Sequence, residues 1–407
     1  MPSSLPDGEP APVDGRLSAS SLEWLGQRDF GFYLHVPFCT TRCGYCDFNT
    51  YTSDELGPGA ERASYADTVV REIRLARAVL GDGDLPVRTV FVGGGTPTLL
   101  AASDLGRMLA SIGDEFGLTP DVEVTTEANP ESVDARYLEA LRANGFTRIS
   151  FGMQSAVTDV LATLDRRHSA GRAEQCVDWA RAAGFDHVSV DLIYGTPGES
   201  DADWRRSVET AVSTGVDHVS AYALIVEEGT RLAGRVRRGE LPAPDDDVLA
   251  DRYLMADEAF TAAGLGWYEV SNWARDDRAR CQHNLGYWTG ADWWGAGPGA
   301  HSHVGGTRWW NVKHPAAYAQ RLAAGQSPAL AREVLTPAQS VDERVLLELR
   351  LADGLRLDAL DEGGRRAARQ AAGDGLLDAV ALADDRAVLT QRGRLLADGV
   401  VRALLGW

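Results

Sequence analysis

The chain has 407 residues, of which 44% are hydrophobic and 24% charged, and this is the composition of a soluble globular protein. Its net charge of −19 argues against a general nucleic-acid binder, because such proteins carry basic patches. No apolar run reaches the ~18 residues that span a bilayer, and the start of the chain lacks the basic and apolar stretches of a signal peptide. We therefore expect a cytoplasmic protein with no transmembrane segment and no nucleic-acid partner.

The order of apolar runs predicts the fold. Residues 1–29 are rich in Pro, Gly, Ser and Asp, which predicts a disordered tail. After them, short β-branched or aromatic runs alternate with amphipathic stretches, a pattern typical of parallel strands in βα units. The six runs are FYLHV (32–36), RTVFV (88–92), VEVTT (122–126), RISFG (148–152), HVSVDLI (187–193) and HVSAYAL (218–224). Since eight units would close a barrel, we predict an α/β fold, an open six-stranded (β/α)6 partial TIM barrel, over residues 30–230.

Two changes of composition mark further regions after the predicted barrel. Residues 231–330 are rich in Trp and His and predict an α+β region, whereas residues 331–407 are rich in Leu, Ala, Arg and Asp. The second region shows short helices, a hairpin expected at 379–389 and a final helix, and it resembles a winged-helix module. Because the chain is acidic, an interaction or lid role for this module is favoured over DNA binding.

A compact cysteine motif is the most specific chemical signal in the chain. Three of its five cysteines, Cys39, Cys43 and Cys46, follow a C-x3-C-x2-C spacing. Three thiolates on one loop can bind three irons of a cubane 4Fe–4S cluster and leave the fourth iron open for a small chelating molecule. A structural zinc site with His35 as the fourth ligand and a disulfide are the alternatives. Zinc ligands usually come as two separated pairs, and three local cysteines are an odd number, so the cluster is favoured.

Glycine and polar residues follow the predicted strands at their carboxyl ends, where such barrels carry their chemistry. The second strand leads into a glycine-rich turn, whose bare backbone lets a ligand approach closely. The candidate ligand-binding residues at these ends are Gly94, Gly95, Thr96, Glu127, Gln154, Arg166 and Asp191. A mere tight turn, a solvated acid at Glu127 and a structural Arg166–Asp191 ion pair are the alternatives.

The order of these residues resembles the radical S-adenosylmethionine (SAM) family over roughly residues 30–400. Within it, the resemblance is to the branch that contains the oxygen-independent coproporphyrinogen III oxidases and related haem chaperones. It implies a 4Fe–4S cluster on the three cysteines and SAM on the open iron, where one electron releases an adenosyl radical. It also implies that SAM contacts Tyr33 and the seven strand-end residues above. Tyr45 is a further SAM candidate because an aromatic ring beside Cys46 can stack on adenine, with simple packing as the alternative.

An aromatic and histidine-rich region follows the predicted barrel. Seven of the eleven tryptophans are Trp267, Trp273, Trp288, Trp293, Trp294, Trp309 and Trp310, and four of the eight histidines are His283, His301, His303 and His314. This density suits core packing or a flat macrocycle with an axial imidazole. The segment CQHNLGYW (281–288) resembles the H-N-x-x-Y-W signature of the haem chaperones. His283 is therefore the first candidate for a haem iron contact, with His301 and His303 after it, and a hydrogen-bonded structural histidine is the alternative.

Two departures from the oxidase pattern bear on function. The dehydrogenases carry a further cysteine where this chain has Phe48, and an extra ordered N-terminal segment where this chain has the predicted tail. The resemblance therefore implies a haem chaperone that transfers haem to acceptor proteins, with membrane-associated respiratory enzymes as candidates. An oxygen-independent coproporphyrinogen III dehydrogenase is the alternative, a radical SAM enzyme on another substrate is a third hypothesis, and whether the chain is an enzyme stays open.

Overall fold

The computed structural model describes residues 7–56, 61–166, 169 and 171–407. The strands are β1 (Glu9–Pro10), β2 (Phe30–Val36), β3 (Val87–Gly94), β4 (Leu118–Ala128), β5 (Arg148–Gln154), β6 (His187–Tyr194), β7 (His218–Ala223), β8 (Gly266–Glu269), β9 (Asn272–Ala274), β10 (Asp292–Ala296), β11 (His301–Val304), β12 (Thr307–Asn311), β13 (Ala329–Val334), β14 (Leu355–Arg356) and β15 (Arg386–Ala387). The helices are α1 (Ala19–Glu23), α2 (Arg62–Leu80), α3 (Ala102–Phe116), α4 (Ala135–Ala143), α5 (Thr158–Thr163), α6 (Arg172–Ala182), α7 (Asp201–Ser213), α8 (Arg231–Arg237), α9 (Asp246–Ala262), α10 (Gln282–Thr289), α11 (Pro315–Ala323), α12 (Pro337–Glu348), α13 (Glu362–Gly373), α14 (Ala379–Ala383), α15 (Gln391–Leu395) and α16 (Ala397–Leu405). None of these helices is both long and apolar enough to cross a membrane.

Six strands, β2 to β7, pair in parallel and in chain order, and each contains or overlaps one of the six predicted runs. Helices α2, α3, α4, α6 and α7 connect them, as crossovers between parallel strands require. Side chains such as Phe32, Val90 and Val190 are fully buried between the sheet and these helices. The described strands do not close into a barrel, since the sheet ends at β1 on one side and β8 on the other. The predicted open partial barrel is thereby confirmed.

The aromatic region extends the same sheet at both edges. β10 pairs in parallel with β2 and leads through β11 and β12 to β13, while β9 pairs antiparallel with β7. The side chains of Trp273, Trp294 and Trp310 are among the largest that are fully buried. Core packing, one of the two interpretations of the tryptophan density, therefore accounts for these three. The sheet crosses the predicted boundary at residue 230 without a break.

The predicted disordered tail is wrong for residues 7–29. β1 pairs with β13, Leu17 is buried, and the hydroxyls of Ser21 and Thr307 are 2.6 Å apart. Composition alone indicated too little apolar surface to fold. The segment is ordered because β13 and β12, more than 280 residues later in the chain, supply its pairing partners. Residues 1–6, which belong to the same prediction, lie outside the described residues.

The C-terminal module has a core of its own, formed by α12 to α16 and the antiparallel pair β14–β15. The hairpin predicted at 379–389 is wrong in its first arm, which forms α14. The reason is local, because the Asp378 carboxylate caps that helix by accepting the backbone N–H groups of Val380 and Ala381. The module docks on α9 through an ion pair of Arg394 with Asp257, 3.2 Å long.

A buried carboxylate joins α2 to the added strands. Glu72 accepts hydrogen bonds from the backbone N–H of Gly297 and the side-chain amide of Asn311, both at 2.8 Å, and from the hydroxyl of Tyr318. Burial raises the pKa of Glu72 to about 7. The carboxylate thus satisfies three buried donors from three separate segments of the chain.

We expect Glu72→Ala to lower the free energy of unfolding by about 2–4 kcal/mol, because the three buried donors lose their acceptor. Urea unfolding would measure this, with Glu258→Ala on the exposed face of α9 as the matched control. The control should change stability by less than about 0.5 kcal/mol. Equal losses in the two variants would contradict the role of Glu72.

Candidate functional site

A cavity of about 540 Å³ opens at the carboxyl ends of the parallel strands and extends into the interior of the partial barrel. The residues predicted to bind the cluster and SAM all line it, namely Tyr33, Cys39, Cys43, Tyr45, Cys46, Gly94, Gly95, Thr96, Glu127, Gln154, Arg166 and Asp191. His283, from the aromatic region after the parallel strands, lines the same cavity. The structure thus brings the predicted site residues together, and their roles as ligands stay predictions.

The cysteine loop is fixed to the barrel at several points. The Cys39 N–H donates to the carbonyl of Tyr51 at 3.0 Å, and the Gly44 N–H donates to the carbonyl of Leu164 at the end of α5, also at 3.0 Å. The Gly44 carbonyl in turn accepts the N–H of Leu232 in α8 at 2.8 Å. These bonds hold the loop in one conformation, so that its three thiols are presented to the cavity from a defined backbone.

The two alternatives to the cluster find no support in the loop. All five cysteines are free thiols, so no disulfide forms. Both ring nitrogens of His35 are already in hydrogen bonds, 3.0 Å from the Tyr33 hydroxyl and 2.9 Å from the Asn49 carbonyl, and neither is free for zinc. In the part of the chain that the structure describes, no three His, Cys, Asp or Glu side chains gather around one metal position. A cubane needs no such convergence, because each thiolate binds a different iron.

The turn after β3 packs closely against the cysteine loop. A Cβ at Gly95 would lie 2.5 Å from the Phe38 carbonyl and 3.0 Å from the Cys39 sulfur, so only glycine lets this turn and the cysteine loop approach so closely. Burial raises the pKa of Cys39 to about 11. This thiol therefore stays protonated near neutral pH until a metal cation displaces the proton, as thiolate ligands require.

Two carboxylates face the cavity without an ion-pair partner among the described residues. Glu127, at the end of β4, accepts the backbone N–H of Gly94 at 3.0 Å, and Asp191 in β6 accepts the hydroxyl of Ser150 at 3.0 Å. Burial, together with the charge of Asp191, raises the pKa of Glu127 to about 7, and burial raises the pKa of Asp191 to about 6. Glu127 is thus no freely solvated acid, and a cationic ligand would stabilise both carboxylates.

Arg166 and Gln154 complete the upper wall of the cavity. Arg166 donates to the Gly152 carbonyl at 2.8 Å and to the Cys43 sulfur at 3.6 Å, while its Nε is buried without a hydrogen-bond partner. The structural ion pair with Asp191 is therefore not formed. Gln154 lies at φ 63°, a left-handed conformation that is costly for a residue with a side chain. Such strain is typical of positions that shape a binding site.

Comparisons with known proteins extend these observations. Residues 33–211 match the Radical SAM superfamily. The fold superposes on the coproporphyrinogen III oxidase HemN from Escherichia coli, a radical SAM enzyme, with a TM-score of 0.80, 21% identity and coverage of 96% of this chain and 94% of that chain. At this identity the likeness shows the fold alone.

Closer relatives decide the family. The haem chaperone HemW of Mycobacterium tuberculosis is 57% identical over 378 residues, which are 93% of this chain and 95% of its own. That of Bacillus subtilis is 32% identical over 385 residues, 92% of this chain and 98% of its own. The chain belongs to the HemW family. The resemblance to the haem-chaperone branch is thereby confirmed.

In this HemW-family chain, the H-N-x-x-Y-W motif forms α10 and fills the lower part of the partial barrel. The ring nitrogens of His283 lie 2.8 Å from the hydroxyl of Thr89 and 2.8 Å from that of Tyr287, and the ring stacks on Phe91 at 5.2 Å. Burial lowers its pKa to about 3. Both ring nitrogens are thus engaged in hydrogen bonds, and the role of His283 as an iron contact stays a prediction. The alternative, a hydrogen-bonded structural histidine, fits the geometry.

The other two histidine candidates lie on β11, and neither lines the cavity. His301 stacks on Trp310 at 5.8 Å, and one ring nitrogen of His303 is 3.2 Å from the carbonyl of Ala291. The two histidines of β11 thus pack within the sheet. No described histidine presents a free nitrogen to the cavity mouth in this HemW-family fold.

A layer of polar residues lies deeper in the barrel and was not predicted from the sequence. Ser150 lies opposite Ser189 in the sheet register, and Asp191 lies opposite Ser220, so three serines share the inward face. A signal was present in the chain, since RIS, HVS and HVS place one serine at matching positions of three apolar runs. The register that aligns them, however, is a tertiary property.

Proposed function

We propose that this protein binds haem and transfers it to acceptor proteins, and that it carries a 4Fe–4S cluster and SAM in the cavity. The observation that carries the proposal is 57% identity, over 93% of the chain, to a protein named as a haem chaperone. Three free thiols on one loop and two unpaired carboxylates in one cavity support it. We place the protein in the cytoplasm, where reducing conditions keep such thiols free.

The chain offers each cofactor a distinct set of groups. Cys39, Cys43 and Cys46 would hold the cluster, while Glu127 and Asp191 would attract the positive charges of SAM. When bound, the pair supplies one-electron and radical chemistry. The protein's own part is to orient the two groups and to balance their charge, since the Arg166 guanidinium lies 3.6 Å from the Cys43 sulfur.

Affinity for SAM should rise with pH between about pH 5.5 and 8. SAM carries a sulfonium and an ammonium group, so it favours ionised carboxylates. The pKa values are about 7 for Glu127 and about 6 for Asp191, and below these values SAM must displace a proton to bind. One displaced proton weakens binding about tenfold per pH unit. Calorimetry in buffers of different ionisation enthalpy would detect the released proton, and Glu127→Gln should flatten the profile. A constant affinity across this range would contradict the assignment.

The mouth of the cavity offers a surface for a flat apolar ring. Phe48 is 44% exposed, Tyr222 42% and Ile225 66%, and all three line the cavity. Exposed apolar side chains around a concave site are typical of ligand binding. We therefore assign the haem ring to this mouth rather than to the buried His283.

Haem titration of the anaerobically reconstituted protein tests the function. We expect saturable binding of about one haem per chain and no conversion of coproporphyrinogen III, in line with Phe48 at the position of the extra oxidase cysteine. Ile225→Asp should weaken haem binding about tenfold, because it places a charge against an apolar ring. The matched control is Val380→Asp, at a side chain 74% exposed on the C-terminal module. Turnover of coproporphyrinogen without saturable haem binding would establish the dehydrogenase alternative instead.

A further inference from the structure

The floor of the cavity is polar and lies further from the mouth than Glu127 and Asp191. Thr125 of β4 pairs in register with Arg148 of β5, and His218 begins β7 on the same inward face. All three side chains are at most 3% exposed, and all three line the cavity. Together they form the floor cluster, a set of residues to which neither the cysteine loop nor the carboxylates contribute.

Each member of the floor cluster has one buried polar atom without a hydrogen-bond partner. These atoms are Oγ1 of Thr125, Nη1 of Arg148 and Nδ1 of His218. Buried polar groups in folded proteins are nearly always paired. Three orphaned atoms on one cavity floor therefore indicate a group that belongs there.

The rest of Arg148 is held firmly. Its Nε donates to the carboxylate of Glu123 at 2.9 Å, and its Nη2 donates to the carbonyls of Ala279 at 2.7 Å and Arg280 at 3.0 Å. The guanidinium plane is thus fixed from behind, and Nη1 is the remaining donor. Because Glu123 also accepts the backbone N–H of His283 at 3.1 Å, the motif helix α10 helps to set this orientation.

The hydrogen-bond network also determines which ring nitrogen of His218 carries the proton. The Tyr268 hydroxyl accepts the N–H of Cys281 at 3.2 Å and lies 2.8 Å from Nε2 of His218. The network is satisfied when the Tyr268 proton is donated to Nε2, and this tautomer leaves the imidazole proton on Nδ1. Burial, with the nearby charge of Arg148, lowers the pKa of His218 to about 3. The ring is therefore neutral and offers one N–H to the cavity.

We propose that the floor cluster is a binding subsite for a carboxylate group. Arg148 and His218 offer fixed donors and Thr125 a rotatable one. A carboxylate accepts at up to four lone-pair positions, so it can accept hydrogen bonds from all three groups and carry a charge opposite to that of Arg148. The Arg148 guanidinium carries the positive charge of the subsite. Because Glu123 already pairs with that charge, the positions of the three donors decide which ligand binds.

The first test uses acetate as the probe. Titration of the reconstituted protein with ¹³C-acetate, followed by NMR, should show saturable binding. Thr125→Val and His218→Phe should each raise the dissociation constant about tenfold or more, since each removes one hydrogen bond to a charged group. Thr126→Val is the matched control, because the Thr126 side chain lies on the other face of the same strand and is equally buried. The isosteric Thr125→Val keeps the test decisive if His218→Phe does not fold.

A second arm identifies the source of the carboxylate, and it rests on the proposed haem function. Haem and its dimethyl ester are compared on wild type and on Thr125→Val. If a haem propionate occupies the floor cluster, wild type prefers haem and Thr125→Val abolishes that preference. If acetate binding depends on the floor cluster while haem and ester bind alike, the subsite takes a free small carboxylate. The proposal would be overturned if Thr125→Val and His218→Phe bind acetate and haem with the same affinities as wild type. If wild type does not bind haem, the haem function alone is overturned.

Discussion

The triple variant Cys39→Ser, Cys43→Ser and Cys46→Ser is expected to lose all cluster iron, about four atoms per chain. The three thiols share one loop, and the hydrogen bonds of Cys39 and Gly44 fix that loop at the mouth of the barrel. Serine hydroxyls keep the shape of the loop but are far poorer iron ligands than thiolates. Iron content and the visible absorption after anaerobic reconstitution measure the loss.

Cysteine 176 provides the matched control for this experiment. Cys176 belongs to α6, and its thiol is buried 3.4 Å from the Pro130 carbonyl and does not line the cavity. Cys176→Ser should therefore retain the full iron content. If the triple variant keeps its iron–sulfur absorption, or if Cys176→Ser loses it, the assignment of the cluster to the loop is wrong.

Removing the charge of either cavity carboxylate should weaken SAM binding about tenfold to a hundredfold. Glu127→Gln and Asp191→Asn keep the size of the side chain and the ability to accept a hydrogen bond. Each abolishes a charged interaction with a cationic ligand, worth roughly 1.5–3 kcal/mol. Because neither residue is a thiol ligand, the iron content should not change. Equilibrium dialysis or calorimetry with SAM on the reconstituted protein measures the affinity.

Glu139→Gln is the control for these two variants, because it makes the same change on the exposed face of α4. Its affinity for SAM should equal that of the wild type. Unchanged affinity in both Glu127→Gln and Asp191→Asn would remove the carboxylates from the SAM site. A loss of iron along with SAM would indicate instead that the variants disturb the cysteine loop.

The parallel core and the upper site were predictable from local patterns. Each apolar run from Phe32 to Leu224 lies in or overlaps one parallel strand, because the strand face that helices cover must carry apolar side chains. The carboxyl ends of parallel strands meet at one edge of the sheet. For that reason Glu127, Gln154 and Asp191, distant in sequence, were expected in one place, and they line one cavity.

Contacts between distant segments decided the rest, and no local pattern contains them. The segment at Glu9–Pro10 is a strand only because β13 offers a free edge. His283 matched a haem signature, yet Thr89 and Tyr287 take both of its nitrogens. The floor cluster likewise exists only through strand register, which aligns Thr125 with Arg148. The sequence by itself determined the six parallel strands and the groups that lie at their ends, because hydrophobic periodicity is a local property. Hydrogen-bond partners and the tautomers they impose were decided only when the tertiary structure brought side chains from different strands together.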